Sequence, residues 1–330
     1  MNHRLRIVGE INTGHFGDMS LAREAILAAK GAGLDVIKFQ SWKPESLYTS
    51  KYLEENRLEA GLYKRFSLGR DELHELANFS HEAGIAFSST PYSEEEVEEL
   101  AAMPNLAFIK VASMEVNNHQ FLKRVARSSK PIVLSTGMST FDEVKTAVRT
   151  ILDSADCELA LLHCTSVYPT PDEDLNLANI TTLKRMFPDL TVGYSDHSEG
   201  VEAGVAAVAL GAVLLEKHFT TSKTKIGFDN AMAMSVEEIK AYVSSARKSE
   251  AMIGSMDRRL SDKESIQKSK MRRSLFLARP VVQGEIIDSS CLVAKRPGEG
   301  LAPSELHRIV GREFTQNLAK DDKLEEGHFK

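Results

Sequence analysis

At 330 residues the chain is long enough for one large α/β domain with a small one attached. Its 42% hydrophobic and 27% charged residues are those of an ordinary soluble protein, and a net charge of −6 leaves no basic stripe for a nucleic acid to dock on. No apolar run approaches the roughly 20 residues of a bilayer span, and Cys157, Cys164 and Cys291 lack CxxC spacing, so a cytoplasmic protein without a membrane or nucleic-acid partner is predicted.

Residues 5–11 (LRIVGEI) read as a buried strand that begins at once, leaving no room for a signal peptide. Residues 20–32 read as a helix closed by Gly33, and 35–40 (DVIKFQ) as the second strand. The polar excursion that follows, up to Arg70, is too long for a plain connection and is expected to be an active-site loop. Strands are then predicted at 85–91 (IAFSSTP), 108–113 (FIKVAS), 131–136 (PIVLST), 159–164 (LALLHC), 190–197 (LTVGYSDH) and 212–219 (AVLLEKHF), with a helical pattern after each. All eight are short continuous apolar runs, as parallel strands buried on both faces should be. Eight such units over about 250 residues predict a (β/α)8 TIM barrel. An open doubly wound sheet is the alternative, weakened because no GxGxxG follows the first strand. Residues 1–254 are assigned to the barrel, 255–274 to a charged linker, and 275–330 to a small domain of short strands and turns.

The polar residues of these strands gather at one end. Glu10, Lys38, Gln40, Thr90, Lys110, Ser113, Ser135, Ser195, Glu216, His197 and His218 all stand at or just past a carboxyl end, the rim where barrel active sites form. His197 and His218 end consecutive strands, so their imidazoles should converge, as a metal site or as two members of a catalytic site. Buried lysines need anionic partners, and the surrounding hydroxyls suit a phosphate and a carboxylate. Internal salt bridges, Lys38 with Glu10 and Lys110 with Glu115, are the competing reading.

These stretches carry a family resemblance. Gly9-Glu-Ile with His15 and Gly17, VIKFQ at 36–40, STP at 89–91, IKVAS at 109–113 with Glu115, LSTGM at 134–138, LHCTSVYP at 162–169, GYSDH at 193–197, LEKHFT at 215–220, RRSL at 272–275 and KRPG at 295–298 resemble the sialic acid (N-acetylneuraminate) synthase family along essentially the whole chain. That resemblance implies a condensation of phosphoenolpyruvate with an open-chain N-acetylated mannosamine-type hexosamine to a nine-carbon nonulosonic acid. It implies a divalent metal, Mn2+ or Mg2+, on His197 and His218. The phosphate and carboxylate of phosphoenolpyruvate would lie against Lys38, Lys110, Thr90, Ser113, Ser135, Ser166 and Ser195. Glu10, Gln40, Tyr168 and Asp229 would face the sugar, and Glu115 would stand close to the reacting carbons. The tail from about Leu275 resembles an antifreeze-like (SAF, β-clip) domain, which in the family reaches across a domain-swapped homodimer and brings the residue matching Arg296 to the partner's sugar site.

Two segments depart from the family pattern. Where Glu-Ile-Gly-x-Asn-His-Asn-Gly is usual, the chain has EINTGHFG at 10–17, and where Pro-Gly-Pro-Asp-His is usual it has IGFDN at 226–230. Ser166 also stands where some members have Asn. The departures suggest a deoxy or diacetamido sugar, as in a legionaminic- or pseudaminic-acid-type synthase. A 3-deoxy-octulosonate phosphate synthase, a metal-dependent pyruvate aldolase and a non-catalytic sugar-binding or assembly protein are the rivals.

Overall fold

A computed structural model describes residues 4–330. By contact, the chain divides into a compact unit ending at Gly254 and a second unit, Ser255–Lys330.

The first unit is the expected barrel, and it is closed. Its strands β1 (Arg6–Glu10), β2 (Val36–Ser41), β3 (Ala86–Pro91), β4 (Leu106–Val111), β5 (Ile132–Ser135), β6 (Leu159–Cys164), β7 (Thr191–Asp196) and β8 (Leu214–His218) pair in sequence order, and β8 returns to β1. Helices begin where side chains satisfy their free amide groups. Asp18 caps Met19–Ala32, and Ser93, Thr140 and Ser235 cap the helices after β3, β5 and β8, each with a glutamate three residues on. Gly33, at φ 85°, ends the first of them.

The two-residue alternation of the strands separates two layers. Outward-facing Ile7, Ile37, Phe87, Ile109, Leu134, Leu161 and Leu215 pack under the helices. Inside, Val8, Val36, Phe108, Val133, Ala160, Leu162 and Leu214 fill the lower barrel. One step further along the inner face the side chains become polar: Glu10, Lys38, Lys110, Ser135 and Glu216 follow those apolar residues by two. At Gly193 a Cβ would stand 2.2 Å from the Leu214 carbonyl, so only glycine lets β7 approach β8 this closely.

The segment 41–70, read as an active-site loop, is helical for most of its length, at Pro44–Leu47, Ser50–Glu55 and Arg57–Phe66. It packs through Trp42 and Phe66 against Phe16, and through rings 4.6–4.8 Å apart, Tyr48 against Tyr52 and Tyr63. Aromatic stacking, rather than an apolar stripe, orders it, which explains why its polarity suggested a loop.

The second unit also corrects a boundary. Within 255–274, expected to be a linker, Asp262–Met271 is a helix and β9 (Ser274–Leu277) starts at Ser274. Ser261 caps that helix, acids open it and Lys268 and Lys270 close it, so charge placement supports it. None of its residues is buried, and no hydrophobic period marked it. β9 pairs antiparallel with β10 (Leu292–Lys295) over a core that includes Leu277, Cys291, Ile309, Phe314 and Leu324. No helix among the described residues is long and apolar enough to cross a membrane.

Candidate active site

A cleft of about 430 Å³ opens at the carboxyl rim of the barrel. Of the residues proposed from sequence, Glu10, Lys38, Gln40, Lys110, Ser113, Ser135, Ser166, Tyr168, Ser195, His197, His218 and Asp229 line it. Register explains the convergence: Glu10 stands opposite Lys38 on one side and His218 on the other, and Ser195 opposite Glu216.

The floor is a buried ionic cluster. Lys110 Nζ donates to Ser135 Oγ at 2.7 Å, and Lys38 Nζ donates to Thr90 Oγ1 at 3.1 Å and pairs with Glu10. Both ammonium groups lie 3.8 Å from Glu216, one on each carboxylate oxygen, while Ser195 Oγ donates to Glu216 at 3.2 Å. Of the two competing salt bridges, Lys38 with Glu10 is therefore present. Lys110 with Glu115 is not, because Lys110 turns inward to Glu216 and Glu115 accepts from Asn118 Nδ2 at 2.7 Å. Burial pushes Lys38 down to about 7, against the pull of Glu216. Lysines held this way favour an arriving anion, which replaces lost hydration with charge.

The histidines meet beside this floor, their ring centroids 5.4 Å apart. His197 Nδ1 bonds the Thr165 carbonyl at 2.8 Å, which orients the ring and leaves Nε2 available. Burial, with the charge of His197 and the lysines, drives His218 well below its ordinary value and keeps it neutral. For His197 burial acts the same way, but the Cys164 thiol and Thr165 carbonyl outweigh it and raise the ring. Tyr168 covers the pair, its ring 4.1 Å from His197. Among the described residues no three His, Cys, Asp or Glu side chains surround one point. Two imidazoles are the nitrogen donors the cleft presents there, fewer than a closed protein metal site uses.

Three proposed residues lie elsewhere. Thr90 supports Lys38 from behind, and Glu115 is buried beside the cleft without lining it; burial raises its carboxyl above the ordinary range. Arg296 belongs to the second unit, where its Nε donates to the Met271 carbonyl at 3.0 Å. From sequence, Glu216 stands at the rim without a role, and Asn12, Tyr48 and Tyr92 are not among the candidates, although all four line the cleft. For Glu216 a signal existed: two residues before His218 on the same strand, it had to share the inner face.

A closed (β/α)8 barrel with a buried, charged cleft at its carboxyl rim defines a barrel enzyme. The chain belongs to the NeuB family, enzymes of sialic acid synthase type, whose profile matches residues 25–258, and residues 272–329 match the SAF domain. The N,N'-diacetyllegionaminic acid synthase of Legionella pneumophila is 36% identical over 331 residues, covering 96% of this chain and 92% of that one. The N-acetylneuraminate-9-phosphate synthase of Homo sapiens is 33% identical over 334 residues, 98% of this chain and 92% of its own. The crystal structure of the N-acetylneuraminic acid synthetase of Leptospira borgpetersenii superposes with a TM-score of 0.75 at 30% identity, over 81% of this chain and 90% of that one.

Proposed function

We propose that the protein is a nonulosonic acid synthase, condensing phosphoenolpyruvate with an open-chain N-acylated mannosamine-type sugar and releasing phosphate. The observation that carries this reading is the convergence of Lys38, Lys110 and a histidine pair in one cleft, with hydroxyls between them. Lys38 and Lys110 take the phosphate and carboxylate of phosphoenolpyruvate, and Ser113, Ser135, Ser166 and Ser195 add hydrogen-bond donors around them. Glu216, beneath both lysines, holds them at a fixed spacing.

Two lysines offset by Glu10 and Glu216 leave little net positive charge, which favours a divalent Mn2+ or Mg2+ ion on His197 and His218. Bound there, the ion supplies Lewis-acid polarisation of the sugar aldehyde. C3 of phosphoenolpyruvate then forms a bond to the aldehyde carbon, whose oxygen takes a proton. Water adds at C2, and the C2–O bond to phosphate breaks, leaving the 2-keto acid. Glu10, hydrogen-bonded at the rim, and Glu115, whose burial favours its protonated form, are the proposed proton carriers. Gln40, Tyr168 and Asp229 face the sugar.

The relatives named for N,N'-diacetyllegionaminic and pseudaminic acid support a diacetamido-trideoxy hexose over plain N-acetylmannosamine. The SAF domain supports a domain-swapped homodimer with Arg296 at the partner's sugar site, and the three free thiols suit a reducing, cytoplasmic setting. Assaying phosphate release from phosphoenolpyruvate with Mn2+ and a panel of hexosamines tests the reading. Sugar-dependent release is expected; release with no sugar, or none with any, contradicts it.

A further inference from the structure

Asn12 is a cleft residue for which the condensation has no role. It follows β1 with φ 41°, in the left-handed region that asparagine tolerates better than most residues. Its backbone N–H donates to Glu10 Oε1 at 2.6 Å, and its side-chain Nδ2 donates to the Asp229 carboxylate. With the donor end committed to a carboxylate, the amide can face only one way. Its oxygen Oδ1 is then left buried and without a partner, in a residue 8% exposed that lines the cleft. Buried acceptors without donors are rare, and one that lines a binding cleft is completed when a ligand brings the donor. The family pattern has glycine at this place, so the backbone needs no side chain here; Asn12 adds the acceptor.

The neighbouring groups narrow the donor. Asp229 also presents an acceptor, and it stands 3.7 Å from His218 Nδ1, next to the proposed aldehyde end of the sugar. A hydroxyl has one hydrogen for these two acceptors and turns its lone pairs toward the other, whereas an amide N–H presents a donor with no lone pair. We infer that Asn12 is a specificity-determining residue of the sugar subsite, its Oδ1 accepting the N–H of an acylamino group on the substrate. This rests on the synthase reading above, and names which substituent that site selects.

The test compares sugars that differ only in carrying acetamido or hydroxyl at C2, and separately at C4, in wild type and in Asn12→Gly and Asn12→Ser. The wild type is expected to prefer the acetamido sugar in kcat/KM at one of these carbons by roughly 100-fold. Asn12→Gly, which suits the backbone, should cut that preference at least about tenfold while the KM of phosphoenolpyruvate stays within about twofold, and Asn12→Ser should fall between. An unchanged preference in both variants overturns the inference, as does an equal loss towards every sugar and phosphoenolpyruvate, which marks a merely structural role. Failure of the wild type to release phosphate with any sugar instead overturns the synthase reading, and this inference with it.

Discussion

His15 sits 1% exposed behind the rim, its Nδ1 accepting the Gly17 N–H at 3.1 Å and its ring 6.2 Å from Phe39. Burial lowers its pKa to about 4, from the ordinary 6.5. The folded protein therefore binds fewer protons than the unfolded chain between those values, so this contribution is complete above pH 6.5 and is lost as pH falls towards 4. At about 1.4 kcal/mol per pH unit the loss is roughly 3 kcal/mol. Urea denaturation at pH 7.5 and pH 4.5 should show a smaller drop for His15→Gln than for the wild type; equal drops would contradict the assignment. His218 supports a different expectation. His218→Ala should keep the fold, weaken Mn2+ binding by more than roughly 100-fold in titration calorimetry, and lower turnover by roughly a thousandfold. Near-normal turnover without added metal would remove the ion from the site. At this scale the ends of the strands were readable because polar residues interrupted apolar runs. Asn12 was not, because its importance lies in an amide oxygen that only the folded turn isolates.

Between β7 and β8 an ion pair crosses the outer layer of the barrel. Asp196 and Lys217 stand in register, Nζ to Oδ1 is 3.0 Å, and both are within 1% of complete burial. Tyr242 OH donates to the other oxygen of Asp196 at 3.0 Å, and its ring lies 5.4 Å from the lysine. Ser198 Oγ donates to Asp196 at 2.7 Å. The pair immediately precedes His197 and His218 in sequence, so it pins the two strand ends that present the imidazoles. Removing one partner strands a buried charge: Lys217→Met should cost about 3–5 kcal/mol in urea denaturation, and Asp196→Leu added to it should recover part of that. A cost below about 1 kcal/mol would show that the pair does not hold the strands. The strands and most helices were legible because burial on both faces and capping residues leave plain marks. The helix Asp262–Met271 and the helices within 41–70 were not, since charge placement and ring stacking order them in place of an apolar stripe.

For the whole molecule, the barrel explains how residues as distant as Glu10 and Asp229 come to share one cleft: closure returns β8 to β1. The order of eight strand–helix units was visible in the sequence; which of the rim's side chains pair, with Glu216 between two lysines, required the closed register. In the proposed dimer, Arg296→Ala should raise the sugar KM roughly tenfold or more through loss of a charge-assisted hydrogen bond, leaving that of phosphoenolpyruvate nearly unchanged. An unchanged sugar KM would take the SAF domain out of catalysis. Phosphoenolpyruvate carrying heavy oxygen in its bridging position tests the condensation with C–O cleavage by mass spectrometry of both products. A nine-carbon keto acid formed in equal amount with phosphate that retains the label is expected; label remaining on the sugar acid, or phosphate released without that acid, would contradict the synthase reading.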